Sequence, residues 1–194
     1  MKLEEPVYSA LIVSGAEKFN TGLMEMMPAA GFDKIKTAAS ISAARREVAE
    51  RSYDIVIINS PLGDDMGLNF AIDACDSEGT VVLDIVKADL YGDIYARLSP
   101  CGVFVASKPL SRQSMETALR WMVSARERVR KMEKKTVSIE EKMEEIRLVN
   151  RAKWLLIGEL KMSEPEAHKY IEKQAMDRCV NKREIARGII NTYS

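Results

Sequence analysis

The chain has 194 residues, of which 46% are hydrophobic and 30% charged, with a formal net charge of zero, as in a globular protein with one domain of ordinary size and a smaller one. No apolar run approaches the roughly 20 residues that cross a bilayer, and the N-terminal MKLEEPVY has neither a basic flank nor a long apolar stretch for export. We therefore expect a cytoplasmic protein without membrane contact.

The zero net charge conceals an uneven distribution along the chain. Residues 1–120 contain 12 Lys+Arg against 17 Asp+Glu, a balance of −5, whereas residues 121–194 contain 17 against 12, a balance of +5. A surplus of this size is modest for a nucleic-acid-binding protein, so it is compatible with that function without requiring it.

The first 120 residues alternate strand and helix patterns. Strands are predicted at 7–13, 34–38, 54–59, 80–86 and 102–106, and helices at about 19–30, 41–51, 66–78 and 89–98. The last three strands are near-continuous apolar runs, as are strands buried on both faces of a parallel sheet. The pattern predicts an α/β fold, a flavodoxin-like, doubly wound sheet of five parallel strands whose functional crevice lies at the carboxyl ends of the strands.

Together with Lys108-Pro109 after the fifth strand, this pattern resembles the receiver domain of response regulators over about residues 6–123, which predicts a receiver-like domain at 1–123. The resemblance implies a phosphoacceptor aspartate after the third strand and, for Mg²⁺, an acidic pair after the first. Here these positions hold Asn59 and Ser14-Gly15, which supply neither nucleophile nor metal ligand. We interpret Asn59, Ser14, Gly15 and Lys108 as a degenerate phosphoacceptor site without metal or cofactor, in a pseudo-receiver.

Other acidic residues near this edge are given structural roles. Asp64 and Asp65 follow the third strand by five and six residues and are interpreted as a solvated loop rather than as substitute phosphoacceptors. The hydroxyl residue that receivers carry at the end of the fourth strand is missing, whether Asp84 or Val86 is aligned there. Lys108 is expected to pair locally, with Asp84.

The chain turns helical from Ser111, with a coiled-coil linker helix at 124–150. Residues spaced alternately by three and four form its seam: Met122, Ala125, Val129, Met132, Thr136, Ile139, Met143, Ile146 and Asn150. The seam is expected to pair with a second copy; the alternative is that it packs against the last helices of its own chain. The β-branched residues around Thr136 and a possible helix start at Ser138 indicate a hinge at 136–139.

The last fifty residues divide into helices of a predicted three-helix bundle. Ser163 with Glu166, and Asn181 with Glu184, have the spacing of capping boxes. The predicted core is Ala167, Ile171 and Ala175 with Met176 or Tyr170, and Ile185 and Ile189 with Ala186. Trp154 and Tyr170 could stack on bases, but aromatic residues at helical spacing are more often core, and this is how we interpret them.

Residues 141–178 contain Arg151-Ala152-Lys153, Leu155-Leu156, a helix start at 163–167, Tyr170 and Ala175-Met176. In these features the segment resembles the ANTAR domain, an RNA-binding module of bacterial antitermination regulators. The resemblance implies an ANTAR domain at 138–194. It also implies that a dimer recognises paired RNA hairpins and so prevents a terminator from forming, by binding and without catalysis.

Basic side chains are the candidates for contact with hairpin RNA in nascent transcripts, because they neutralise phosphates and arginine also stacks on exposed bases. The candidates are Arg147, Arg151, Lys153, Lys161, Lys169, Lys173 and Arg178, followed on the last helix by Lys182, Arg183 and Arg187.

His168 has no neighbouring histidine or cysteine and is interpreted as neither ligand nor catalyst. Cys75, Cys101 and Cys179 are far apart and lack a CxxC motif, so we expect small buried apolar residues.

The sequence thus predicts a transcription antitermination regulator of the two-component type that is not an enzyme, with a receiver half that is not phosphorylated and could dock a sensor protein. One alternative is a signalling scaffold or phosphorelay partner whose helical tail only dimerises. A DNA-binding response regulator is disfavoured, because no helix-turn-helix pattern is present.

Overall fold

The computed structural model describes residues 7–77 and 79–193. The first six residues, Glu78 at the end of the predicted third helix, and Ser194 lie outside the described residues. The described residues fold into two compact units, which are divided between Lys131 and Met132.

The first unit is built on a parallel five-stranded sheet in the order β2-β1-β3-β4-β5. Its strands are β1 (Tyr8–Val13), β2 (Phe32–Ala38), β3 (Ile55–Asn59), β4 (Val81–Lys87) and β5 (Phe104–Lys108). Because β3 and β4 are covered on both faces, their apolar runs are almost completely buried. The predicted doubly wound sheet is confirmed.

Helices cover both faces of this sheet and enclose two cores. They are α1 (Glu17–Met26), α2 (Ile41–Glu50), α3 (Leu68–Asp76), α4 (Tyr91–Leu98) and the first part of α5 (Arg112–Leu160). One core packs the sheet against α2, α3 and α4, with Phe70 and Leu98 fully enclosed. The other packs it against α1 and α5, through Leu23, Leu119 and Met122.

The last strand differs from its prediction. Gly102 ends a short turn in the left-handed region, at φ 83°, so the strand begins at Phe104 and runs to Lys108 instead of spanning 102–106. It is an edge strand whose residues are half-buried or exposed, with Phe104 40% exposed. The expectation that it is buried on both faces was wrong, because an apolar run alone does not distinguish an edge strand from a central one.

Helix α5 is continuous from Arg112 to Leu160, and the predicted hinge at 136–139 is wrong. Thr136 donates from Oγ1 to the Met132 carbonyl oxygen over 3.1 Å, so its hydroxyl is satisfied within the helix. Ser138 lies inside the helix rather than at the start of a new one.

The residues of the predicted seam are buried at its start and exposed further along α5. Met122 is buried in the first unit. In the second unit Met132, Ile139, Met143 and Ile146 are 59%, 48%, 60% and 59% exposed. This finding goes against the alternative that the seam packs on the last helices of its own chain.

The second unit is a bundle of the end of α5 with α6 (Glu164–Arg178) and α7 (Lys182–Tyr193). Its buried core is Ala152, Leu156, Ala167, Ile171, Ala175, Ile185, Ala186, Ile189 and Ile190. At the start of α6 the Ser163 amide donates to the Glu166 carboxylate over 2.8 Å, as the capping box predicts, and the Ser163 hydroxyl donates to the same carboxylate over 2.7 Å. Asn181 accepts from the Glu184 amide over 2.8 Å, which is one half of the second predicted box.

Some expected core residues lie outside the core. Met176 is 77% exposed and Tyr170 38%, because the buried face of α6 is already filled by small and medium side chains. Cys101 and Cys179 are exposed and Cys75 is half-buried, so the prediction of buried cysteines was wrong.

Within the described residues, no helix has the length and apolar character needed to cross a membrane.

Candidate functional site

The carboxyl edge of the sheet brings together Ser14, after β1, and Asn59, at the end of β3. The Asn59 amide donates from Nδ2 to Ser14 Oγ over 3.0 Å, and the Ala16 amide donates to the same oxygen over 3.1 Å. Ser14 is buried, and Gly15 beside it is exposed. The pair therefore forms a neutral hydrogen bond where receivers place carboxylates.

Lys108, at the end of β5, does not pair directly with Asp84 as predicted. Its Nζ donates to the Ser60 carbonyl oxygen over 2.5 Å, while Ser60 Oγ donates to Asp84 Oδ1 over 2.6 Å. Ser60 thus bridges the two charged groups, because it occupies the space at the end of β3 between them. Burial lowers the pKa of Lys108, although the charge of Asp84 opposes this shift.

Asp84 is completely buried on β4, and its Oδ2 has no hydrogen-bond partner among the described residues. Burial raises the pKa of Asp84 to about 6, against the hydrogen bond from Ser60 and the charge of Lys108. A carboxyl group in this position is held for most of the acidic range as the neutral acid, which is the form that tolerates an apolar environment.

Asp64 and Asp65 stabilise the backbone at this edge. Asp64 accepts from the amides of Ile41 and Ser42, both over 3.1 Å, and so satisfies the start of α2. These bonds lower the pKa of Asp64. Asp65 accepts from the Gly67 amide over 2.8 Å. Both carboxylates are thus engaged in loop structure.

The candidate RNA residues of the second unit differ in their availability. Arg147, Arg151, Lys169, Lys173 and Arg178 are exposed on α5 and α6. Lys153 is only 15% exposed and pairs with Glu164 over 3.0 Å, and this bond lowers the pKa of Glu164. Lys161 ends α5 in the left-handed region and donates to the Gly158 carbonyl oxygen over 2.8 Å.

The basic residues of α7 are also partly engaged. Lys182 donates to the Glu172 carboxylate over 2.5 Å, and His168 lies 3.3 Å from the same oxygen. The bond from Lys182 lowers the pKa of Glu172. Arg187 is exposed, whereas Arg183 is half-buried.

One face of α5 combines charge with an exposed aromatic ring. Arg147, Arg151 and Trp154 are four and three residues apart, so they lie on the same side of the helix, while Ala152 and Leu156 are buried. Trp154 is 72% exposed, and its predicted place in the core was wrong. Its apolar neighbour Leu155 contacts the core instead.

A second aromatic feature lies between α6 and α7. Tyr170, Gln174 and Arg178 recur at every fourth residue of α6 and line a cavity of about 250 Å³ together with Tyr193 of α7. The four side chains offer two rings, an amide and a cation on one groove.

Comparison with known proteins places this bundle in a family. The family model of the ANTAR domain matches residues 138–190. Over 183 residues the chain is 25% identical to the transcriptional regulatory protein PdtaR of Mycobacterium tuberculosis, in both strains CDC 1551 and H37Rv, which covers 94% of this chain and 89% of that protein. The chain is an ANTAR-domain response regulator.

Solved structures show the fold of the first unit of this ANTAR response regulator. It is similar to the chemotaxis response regulator CheY4 of Vibrio cholerae, with a TM-score of 0.53 and 15% identity over 60% of this chain and 99% of that one. It is also similar to the signal receiver domain of an HD-domain protein from Pseudomonas fluorescens, with a TM-score of 0.58 and 19% identity over 68% and 98%. The first unit therefore has the receiver fold.

The basic surplus of the C-terminal part is smaller when only the unit that contains the ANTAR match is counted. Residues 132–194, which contain the ANTAR match, hold 13 Lys+Arg against 11 Asp+Glu, a surplus of only two. Much of the basic surplus predicted for the C-terminal part lies at 121–131, where Arg126 and Arg130 face Asp54 of the receiver unit. Local faces, rather than net charge, must therefore carry any nucleic-acid contact.

Proposed function

We propose that this ANTAR response regulator is a cytoplasmic RNA-binding protein that controls transcription by antitermination, and that its receiver half is not phosphorylated. The observation that carries the proposal is the exposed face of Arg147, Arg151 and Trp154 inside the matched ANTAR segment.

The chemistry of this face suits a hairpin loop. Arginine side chains neutralise phosphates and can bridge base edges, and an exposed indole ring can stack on an unpaired base. A tryptophan that is 72% exposed gains burial when it stacks, so the contact would also remove apolar surface from water. Lys169, Lys173 and Arg178 supply further cations on α6, while Lys153 and Lys161 are held by intramolecular bonds.

The proposed mechanism is binding by a homodimer, without a catalytic group. The exposed apolar residues Met132, Ile139, Met143 and Ile146 follow the spacing of a coiled coil, and a second copy of the helix would bury them. Two bundles in one dimer would match two hairpins in one transcript.

The proposed input is not a phosphoryl group on the β3 edge. Asn59 cannot form an acyl phosphate, and the hydroxyl of Ser14 bonded to it is a poor replacement for the carboxylates that hold Mg²⁺. A sensor protein docking on the receiver half is one route by which the chain could receive its signal.

The small surplus of 13 Lys+Arg against 11 Asp+Glu in the second unit favours one second candidate. In a signalling scaffold or phosphorelay partner, the helical tail would only dimerise, and its basic residues would be solvating or paired, as Lys153 and Lys182 are.

Ultraviolet cross-linking distinguishes the RNA-binding protein from the scaffold. The full chain is cross-linked to total RNA, and the peptides attached to nucleotides are identified by mass spectrometry. The RNA-binding proposal expects nucleotides on the peptide that contains Trp154, and loss of that adduct when Arg147 and Arg151 are both replaced by Ala. The scaffold expects no RNA adduct in the bundle.

A further inference from the structure

A cavity of about 400 Å³ opens at the carboxyl edge of the receiver sheet, between α1 and the first turn of α5. Asn59 at the end of β3 and Lys108 at the end of β5 lie on its wall. This edge is where open α/β sheets bind their ligands, and the volume falls within the range of small-molecule sites.

The greater part of the wall is apolar. It is formed by Phe19, Leu23, Met26, Ile85, Leu110 and Met115. Leu23, Ile85 and Met115 are buried members of the core between the sheet and these helices, so the cavity reaches down to that core. Such a wall favours an organic body over a hydrated inorganic ion.

The charged side chains of the wall are all cationic among the described residues. Lys18 of α1, Lys108 of β5 and Arg112 of α5 line the cavity, and no carboxylate is among the described residues that line it. Arg112 also pairs with Glu116 over 3.2 Å on the exposed side of α5, where the Arg112 side chain is 69% exposed.

Lys108 is the most informative of these cations. Its ammonium has three N–H donors, and one of them is used by the Ser60 carbonyl oxygen. The group is half-buried, and among the described residues it forms no ion pair within 4 Å. An anionic oxygen in the cavity would satisfy a remaining donor and offset the cost of a charge beside an apolar wall.

We propose that this cavity binds a small organic anion, a phosphate monoester or carboxylate with an apolar body, whose charged head faces Lys108, Lys18 and Arg112. The receiver half would then take a diffusible ligand as its input, beside the edge where Asn59 has replaced the phosphoacceptor. This proposal is separate from RNA binding, because the ligand contacts only the first unit.

Isothermal titration of the full chain without RNA tests the proposal with three probes. 1-Naphthyl phosphate has both head and body, inorganic phosphate has only the head, and 1-naphthol has only the body. We expect one site per chain for 1-naphthyl phosphate and an affinity at least tenfold higher than for either of the other two.

Gly22 provides a blocking variant that should keep the fold. It lines the cavity in the middle of α1, and a Cβ added there meets no atom within 4 Å. Gly22→Leu should therefore fill the cavity while raising the helix propensity of α1. We expect at least a tenfold loss of 1-naphthyl phosphate affinity with an unchanged or higher melting temperature.

Gly92→Leu is the matched control, because Gly92 lies in α4, has equally open space and does not line the cavity. It should bind the probe as the unaltered chain does. Lys108→Met should reduce the affinity for 1-naphthyl phosphate towards that for 1-naphthol. Equal affinity of Gly22→Leu and the unaltered chain, or no preference for 1-naphthyl phosphate over both partial probes, would overturn the proposal and leave RNA binding untouched.

Discussion

Arg126 of α5 donates from Nε to Asp54 Oδ1 over 2.8 Å, at the amino-terminal edge of the receiver sheet. The same carboxylate accepts from the amide and the hydroxyl of Ser9, both over 2.9 Å. The two side chains are only 13% and 16% exposed. One carboxylate therefore ties the first half of α5 to the starts of β1 and β3.

Asp54→Asn tests the strength of this attachment. The change keeps the shape of the side chain but removes the charge that Arg126 and Arg130 face, so we expect the free energy of unfolding to fall by about 2–4 kcal/mol in a denaturant titration. The exposed Asp33→Asn should change it by less than about 0.5 kcal/mol.

The stability difference between the unaltered chain and Asp54→Asn should depend on pH in one direction. Burial raises the pKa of Asp54, but the hydrogen bonds from Ser9 and Arg126 outweigh it, so the pKa lies below the ordinary 3.8. The stabilisation is therefore present above pH 3.8 and is lost as the pH falls through the folded-state pKa. The difference between the two proteins should shrink towards pH 3; a constant difference would contradict the assigned charge.

Asp84 should show the opposite behaviour. Burial raises its pKa from 3.8 to about 6, so the folded chain holds the proton more tightly than the unfolded chain. Stability is then lost as the pH rises between these values, by about 3 kcal/mol in total. Because Asp84→Asn cannot ionise, its stability relative to the unaltered chain should rise by about 2–3 kcal/mol from pH 4 to pH 7.5, measured by denaturant titration. The exposed Asp89→Asn should show no such trend. The same pH-dependent gain in Asp89→Asn would show that the trend does not come from ionisation of Asp84.

The receiver sheet could be predicted from the sequence because apolar runs such as 54–59 indicate strands that are buried on both faces of a sheet. The Asp54–Arg126 pair could not be predicted in this way, since its partners are 72 residues apart and no local pattern links them. The hinge at 136–139 was wrong because side-chain propensity did not reveal the internal bond from Thr136 to Met132.

The candidate RNA face was only partly predictable. Arg147 and Arg151 follow from composition and spacing, but the exposure of Trp154 depends on which residues of α5 the bundle core takes. Ala152 and Leu156 fill that core, and the ring of Trp154 is left outside. A tryptophan three residues from Arg151 on a cationic face was the signal available in the sequence.

A small phosphodonor with Mg²⁺ tests the receiver edge. Because Asn59 and Ser14 offer an amide and a hydroxyl in place of carboxylates, the chain should keep its intact mass during incubation with acetyl phosphate. A receiver domain that retains its acidic residues serves as the positive control. A gain of one phosphoryl group, mapped to residues 7–131, would show that the edge still accepts phosphate.

Two glutamate substitutions test the proposed dimer seam. Ile139→Glu places a charge on the seam, whereas Val137→Glu places it on the outward side of the same turn; the two residues are 48% and 53% exposed within the chain. We expect light scattering to show impaired self-association for Ile139→Glu only, because only that change buries an unpaired charge between two helices. Equal effects, or a monomeric unaltered chain at tens of micromolar, would leave the seam without a role in dimerisation.

RNA binding across a salt series tests whether Arg147, Arg151 and Trp154 form an RNA-binding face. The full chain is titrated with a hairpin RNA selected on it from a randomised loop library. We expect the logarithm of its affinity to fall with that of the salt concentration, by about 0.7–0.9 for each phosphate contact. Replacing Arg147 and Arg151 together by Ala should weaken binding and flatten the slope by roughly one to two. Trp154→Ala should weaken binding by about 1–3 kcal/mol with the slope unchanged.

Replacing the exposed Lys134 and Lys135 together by Ala removes the same charge outside the matched segment and serves as the control. We expect this control to keep both the affinity and the slope. Failure to select any RNA at low salt, or an arginine double variant that behaves as the lysine control does, would contradict the RNA-binding proposal.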